Sequence, residues 1–398
     1  MIKPHCQMTS EAVEEQEVVL CVGDTTYLDY GKIKAKREGY GPTGNGGNGL
    51  ILHSALAIAP EQGQVIGLLW QKLWNREPKA KPPKDETAEA KKQRQAQARK
   101  AARQRSFQDK ESYRWVEAMT EVEHQVSSST HVIHVFDREG DITEVFDQVR
   151  QLKHTGVLVR AAHNRSLDQN SERLWQKLES QPVRFEQEIK VPETDKRKAR
   201  IAKLAVRFSK VHLRVPYRFD NRDPLQVYAV YATEIDCPEG ETSLEWMLLT
   251  TEVVEELETA IKILRWYTYR WRVEDFHKIF KSGCQCERYR LAAEGMKTLL
   301  GFLSVCAVEL LQVTYLHRNQ PDAPAVEILS PVQIQVLKAR FPKSPPVLTV
   351  AWAIESIAFL GGYLEHRRKS PIGIQVLWRG WSNLRELCQG WLLAQIHT

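Results

Sequence analysis

The chain has 398 residues, long enough for two or three domains around a sizeable core, and 42% of them are hydrophobic, as in an ordinary globular protein. Seven cysteines at irregular spacing, an odd number, exclude a secreted disulfide framework. The N-terminal stretch MIKPHCQMTSEAVEEQE lacks the apolar centre of a signal peptide.

Glu17–Gly23 is a short β-branched run that reads as a central strand ending at Asp24. The glycine-rich loop Gly41–Gly49 lacks the Lys and helix start of a phosphate-binding loop. Leu50–Ile58 and Val65–Trp70 follow as strands joined by a turn at Pro60–Gly63. The net charge of +6 is concentrated after them, with eleven Lys/Arg against four Asp/Glu between Arg76 and Arg105. This segment reads as a loop and then an exposed helix, either a solvated linker or a surface for DNA phosphates. A helix around Ser112–Val126, a strand His131–Phe136 that delivers Asp137, a helix Asp141–Lys153 and a strand Val157–Ala161 complete the order. Carboxylates at the ends of the first and fourth strands fit a ribonuclease-H-like (retroviral-integrase-like) α/β core.

From Ser166 to Thr251 the pattern changes to short alternating runs, Arg184–Val191, Ile201–Val211, Leu225–Ala232 and Trp246–Leu249, which predict an antiparallel β insertion. After Lys281 the chain reads as helical over Ala292–Thr314, Pro331–Arg340, Val350–Leu360 and Ile374–Ala394. The expected division is a catalytic domain at 1–290, holding the insertion at 166–251, and a helical domain at 291–398. The most apolar run, Leu299–Val313, contains Ser304 and Glu309 and is too short to span a bilayer, so it reads as a buried helix. No membrane partner is expected, and the expected location is cytoplasmic. Cys284 and Cys286 lie near His277 with no second ligand pair, which suits reduced thiols better than zinc.

The most informative stretch is Trp266–Lys281, WYTYRWRVEDFHKIFK, read as one helix stopped at Gly283. At about 100° per residue, Tyr267, Arg270, Glu274, Lys278 and Lys281 share one face, with Trp271 at its edge. Trp266, Tyr269, Val273, Phe276 and Phe280 form an apolar stripe on the other. A solvated face with local ion pairs is the simpler reading. It leaves unexplained why a single carboxylate is ringed by both cations and aromatics, an arrangement that suits a metal ion held against a nucleic-acid backbone.

The spacing Tyr267, Arg270, Glu274, Lys281 matches the Y-R-E-K signature, and the chain resembles bacterial DDE transposases of the insertion-sequence-four family. Asp24 in CVGDTT, Asp137 in VFDREGD, the run Gly240–Thr250, GGY at Gly361–Tyr363 and WRGW at Trp378–Trp381 match in order over nearly the whole chain. The resemblance implies a β-rich insertion at this place and a helical tail that pairs two transposases, hence a homodimer on DNA. It implies that Trp246 helps accommodate a flipped base, against the alternative of a strand Trp packed in a core. It also implies a DNA contact from Arg160, while the helix face itself suits Arg270, Lys278 and Lys281 to phosphates near the cut, Tyr267 to a phosphate hydrogen bond and Trp271 to stacking.

Phosphodiester transfer at neutral pH needs an activated oxygen nucleophile and neutralisation of the leaving oxygen, which two divalent ions supply together. Hard Mg2+ or Mn2+ prefers carboxylate oxygen, so Asp24, Asp137 and Glu274 are the expected catalytic metal ligands, with Asp24 bridging. An acidic loop without metal is the alternative for Asp137 taken alone, and Glu139 and Asp141 are spare acids beside it. By resemblance the partners are double-stranded DNA, as transposon inverted-repeat ends and target, and the reaction is cut-and-paste transposition through a hairpin. Family members carry a DNA-recognition domain ahead of the first Asp motif, for which Asp24 leaves no room. The rival expectation is therefore a truncated, catalytically silent regulator or relic that inhibits full-length transposase. A plain metal nuclease such as a junction resolvase shares the fold but needs neither the insertion nor the tail.

Overall fold

The computed structural model describes residues 2–31, 39–44, 46–78, 85–168, 172–191, 199–219, 221, 223–364 and 372–396. Residues 79–84 of the basic segment and Asn45 of the glycine-rich loop lie outside the described residues.

A first helix, α1 (Lys3–Val13), precedes the sheet. It was not expected, because only Cys6, Thr9, Ser10 and Val13 of its mostly polar sequence are buried. Then β1 (Val18–Asp29), the two-residue β2 (Gly41–Pro42), β3 (Asn48–Ile58) and β4 (Val65–Trp74) form antiparallel pairs around β3. β1 does not end at Asp24. Thr25, Thr26, Tyr27 and Leu28 continue the extended alternation against His53–Leu50, so Asp24 sits in mid-strand opposite Ser54.

After the exposed helix α2 (Ala88–Gln104) and α3 (Tyr113–Gln125), β5 (His131–Phe136) enters parallel to β1, with Val22 opposite Val135. A short α4 (Thr143–Val149), trimmed at both ends relative to expectation, leads to β6 (Thr155–Arg160), parallel to β5. α5 (Leu174–Glu179) and the antiparallel strands β7 (Phe185–Val191), β8 (Arg200–Leu213), β9 (Leu225–Ile235) and β10 (Glu245–Thr250) fill the expected insertion. These strands extend the sheet itself, because β10 pairs with β6, with Leu248 opposite Arg160. The order is β2-β3-β1-β5-β6-β10-β9-β8-β7, with β4 also on β3.

Alternation along the strands divides the core. Leu20, Val22, Ile133 and Val135 face the later helices, while Val19, Cys21 and Val132 face α3, where Ala118 and Val122 receive them. The later helices are α6 (Leu257–Thr268), α7 (Trp271–Lys278), α8 (Ala293–Asn319), α9 (Pro331–Arg340), α10 (Val350–Leu360) and α11 (Ile374–Ile396). The result is a mixed α/β N-terminal part with a mixed parallel and antiparallel sheet, followed by a largely helical C-terminal region.

α8 is 27 residues long, which corrects the shorter span read from sequence, and by length and composition it could cross a membrane. Half of its apolar window is buried within the fold. Its Gln312 Nε2 donates to the Val65 and Ile66 carbonyls at 3.1 and 2.9 Å, covering groups that β4 leaves open at the sheet edge.

The Trp266–Lys281 stretch is not one helix. α6 ends at Thr268 and α7 starts at Trp271, with i→i−3 bonds from Tyr269 to Trp266 (3.0 Å) and from Arg270 to Tyr267 (3.1 Å) tightening the chain between them. The tip of the β3–β4 hairpin holds this kink. Arg272 Nε donates to the Gly63 carbonyl at 2.6 Å, and Gly63 has φ +64°. A Cβ there would lie 2.4 Å from Arg272 Nη2, so both conformation and space require glycine. Beyond Lys278 a π-helical turn, Ile279–Gly283, carries Lys281.

Candidate functional site

β1 and β5 run parallel, and continuing their register two residues past Val22–Val135 sets Asp24 alongside Asp137. Glu274 arrives from α7, which packs across β1. Burial pushes the Asp24 carboxyl up to about 7, against the Thr25 N–H and Arg270, while the Asp137 and Glu274 carboxylates push it further the same way. Asp137 and Glu274, from two other elements, are thus both within electrostatic reach of Asp24. Asp137 caps the 3-10 turn Arg138–Gly140, its Oδ1 accepting from the Glu139 N–H at 2.8 Å.

Glu274 is half exposed and paired with Arg270 Nη2. Arg270 is itself buried, as is Tyr267, whose ring lies under the guanidinium with 6.0 Å between Cζ and ring centroid. Tyr267 lies on the buried stripe of α6 with Ala260, Ile263 and Leu264, three to four residues apart, and Arg270 follows in the turn between α6 and α7. Burial works against the Arg270 charge, but Tyr267 and Glu274 outweigh it and hold the group above its ordinary value. Burial raises the Tyr267 hydroxyl, so it stays protonated and able to donate.

Arg160 reaches the same place from the end of β6. Its Nη2 donates to the Glu245 carbonyl at 2.8 Å, and its charge, lowered chiefly by burial, feels Tyr267, Arg138 and Arg270. Trp246 is buried at 2% exposure, in edge contact with Tyr267 (5.3 Å) and Trp271 (6.1 Å). The packed-strand alternative describes that position. Trp271 is half-buried and, with Glu274 and Lys278, lines an open cleft of about 1170 Å³ bounded by Gln187–Lys190 of β7 and by Tyr315 and Arg318 of α8. Lys281 stands 3.9 Å from Glu287.

Beneath Asp24 lies a polar layer that the sequence reading missed. His277 Nδ1 is 3.8 Å from Asp24 Oδ2, and burial first, then Lys281, lowers His277 to about 3, so the ring is neutral. Ser54, opposite Asp24, accepts from Gln71 at 3.2 Å. On the other face of β1, Thr25 Oγ1 contacts His53 Nδ1 at 2.8 Å and accepts from Arg114 Nε at 2.8 Å. Arg114 also bonds Glu139 Oε2 at 2.5 Å and lies over the Trp115 ring. The signal was present, since Arg114 interrupts the otherwise apolar face Trp115, Ala118, Met119, Val122.

Asp141 is not a spare acid. It is buried, accepting from the Ala162 and His163 N–H groups at 2.7 and 3.1 Å and from Arg165 Nε at 2.8 Å. It fixes the loop after β6 to the loop after β5. Glu139 is likewise engaged, by Arg114.

The donor set suits hard divalent cations, because it offers carboxylate oxygens whose mutual repulsion a cation would relieve. Among the described residues, no group of three or more His, Cys, Asp or Glu is already gathered to hold a metal ion. Glu274 is instead paired with Arg270. No protein-family model matches the chain.

Proposed function

We propose that the protein is a DNA transposase of the DDE type, similar to the insertion-sequence-four family, acting by metal-dependent cut-and-paste transposition. What supports this reading is that Asp137 and Glu274, remote in sequence, both lie within electrostatic reach of Asp24, with Arg270 beside Tyr267 and Glu274. The order β4-β3-β1-β5-β6, antiparallel in its first three strands and parallel from β1 onward, supports a ribonuclease-H-like core beneath the site.

On this reading the three carboxylates hold two Mg2+ or Mn2+ ions, which activate the oxygen nucleophile and neutralise charge on the leaving oxygen. The chain's own groups orient the DNA. A phosphate arriving beside Arg270 exchanges for Glu274 as its partner, freeing the carboxylate for the cation-binding set. Arg270 is buried and its charge is favoured, so it offers a fixed fork to the phosphate oxygens. The protonated Tyr267 hydroxyl donates a further hydrogen bond, and Arg160 adds charge from the end of β6 beside Asp137. Lys278 and Lys281 hold the flanking backbone, and Trp271 offers a ring face in the cleft for stacking.

The reaction follows in four balanced displacements. Water attacks one strand at the transposon end and frees a 3′-hydroxyl. That hydroxyl attacks the opposite strand, forming a hairpin and releasing flanking DNA. A second water opens the hairpin, and the regenerated 3′-hydroxyl attacks target DNA. The test is Mn2+- or Mg2+-dependent cleavage of duplex carrying the inverted repeats that flank the gene, with Glu274→Gln as control. Cleavage abolished in the control supports the reading. DNA binding without cleavage, together with inhibition of an active relative, would establish the silent regulator instead.

A further inference from the structure

The exposed helix α2 lies between β4 and α3, and the residues that flank this connection, Arg76 and Glu111, meet in a closed base. Arg76 makes a two-pronged ion pair with Glu111, at 2.5 Å (Nε–Oε1) and 2.6 Å (Nη2–Oε2). Arg76 Nη1 also donates to the Thr43 carbonyl at 2.9 Å, and its guanidinium lies over the ring of Tyr27, three residues past Asp24. Arg114 grips the same base, donating to the Glu111 carbonyl at 2.9 Å while reaching Thr25.

Within the connection, α2 contrasts with this firm base. α2 is 17 residues, about 25 Å long at 1.5 Å per residue, and every residue in it whose side chain is described is exposed. Its sequence, AEAKKQRQAQARKAARQ, holds no apolar residue larger than alanine, so it has no face with which to dock on a core. Helicity rests on Ala, Gln, Lys and Arg propensity, on the Thr87 cap to the Ala90 N–H, and on the Arg94–Glu86 pair at its start. At this length such support alone is marginal in water. Lys92 and Arg99 are two turns apart on one face, flanked by Lys91 and Lys100. Among the described residues no ion pair reaches any of the four.

We propose that α2 is an arm for the phosphate backbone of duplex DNA, its base anchored at the strand that carries Asp24. It rests on the transposase reading and extends it from the active centre to a second contact on the same DNA. A helix that is basic on one side, lacks a packing face and carries a single acid matches a polyanion by charge alone. It contributes affinity and positioning without reading sequence. Neutralising Lys91, Lys92, Arg99 and Lys100 by phosphates also removes their mutual repulsion, so the helix is stabilised where it binds.

The test compares the full chain with a Lys91→Gln, Lys92→Gln, Arg99→Gln, Lys100→Gln variant, since Gln keeps the helix propensity. Affinity for a random-sequence duplex is measured by fluorescence anisotropy over a salt series without divalent metal. The expected result is a loss of about 10-fold or more near physiological salt, with the salt slope shallower by about 3 to 4. The thermal midpoint should not fall, because all four side chains are exposed and none is in an ion pair among the described residues. An unchanged slope and affinity overturns the arm, as does a loss confined to an RNA duplex of equal length. Failure of the two readings is separable. A variant-sensitive slope in a protein that never cleaves leaves the arm and removes the transposase, and cleavage with an insensitive slope does the reverse.

Discussion

Arg114 Nε donates to Thr25 Oγ1 at 2.8 Å, so an arginine from α3 holds the residue that follows Asp24 while its other end holds Glu139, two residues after Asp137. One buried guanidinium thereby ties the residue after Asp24 to the turn after Asp137. Arg114→Lys keeps the charge but cannot bridge both groups. It should weaken Mn2+ binding about 10-fold by electron paramagnetic resonance titration, in the range seen for outer partners of metal ligands. Arg114→Met should do the same and lower stability as well. Unchanged Mn2+ affinity in the folded Lys variant would count against the strut.

Asp141 and Asp137 look alike in the sequence and should behave oppositely. Asp141 is 1% exposed and accepts hydrogen bonds from two backbone N–H groups and Arg165. Asp141→Ala strands those donors and should cost about 3 kcal/mol or more, read in urea denaturation. Asp137→Ala should leave stability within about 1 kcal/mol and abolish cleavage.

Asp24 sets a stability cost against the site. Its folded carboxyl is raised to about 7 by burial and by its two acidic neighbours. A raised carboxyl contributes stability that is fully present below its unfolded value near 4 and is lost as pH rises through about 7. Without divalent metal, Asp24→Asn should therefore gain little at pH 4 and about 2 kcal/mol at pH 8. Thermal melts across that range check it. Added Mg2+ should stabilise the wild type and not the variant.

His131, at the start of β5, meets Glu252 beyond β10 at 3.0 Å, and the pair crosses directly over Gly156 of β6. A Cβ on Gly156 would lie 2.1 Å from Glu252 Oε1, so Gly156→Ala should separate the pair. Glu252 raises the His131 ring above its ordinary value. That contribution is full below about 6.5 and fades as pH rises through the folded value. Because His131 is about a third exposed, Glu252→Gln should cost only about 0.5 kcal/mol at pH 6 and nearly nothing at pH 9.

Elements whose period matched their burial were legible from the residues alone. His131–Phe136, Pro331–Arg340 and Val350–Leu360 lie where alternation or capping put them, and the insertion strands differ only at their ends. What the sequence concealed depends on neighbours. Nothing in WYTYRW disfavours a helix, so the break at Tyr269–Arg270 arises from Arg272 reaching the Gly63 carbonyl. Tyr267 is buried by the period of α6 itself, where the single-helix reading places it on the opposite face. Asp24 looked terminal because apolarity stops there, yet the ladder to β3 continues because Thr25 and Thr26 tolerate an extended backbone. The proximity of the three acids could be expected only through the motif order, since no local pattern reports a distance across two strands and a helix.

The β6–β10 ladder has a further consequence. A segment inserted as a loop could open and close without disturbing the strands that bear the site. Here Leu248, Leu249 and Thr250 share backbone bonds with Arg160, Val159 and Leu158, in a ladder two strands from β1. Amide exchange in β9 and β10 should be as slow as in β5, and the whole sheet should melt in one transition. A strain applied at the far β7 edge would then be felt at Arg160 as a change in register or twist, giving the outermost hairpin mechanical access to the centre.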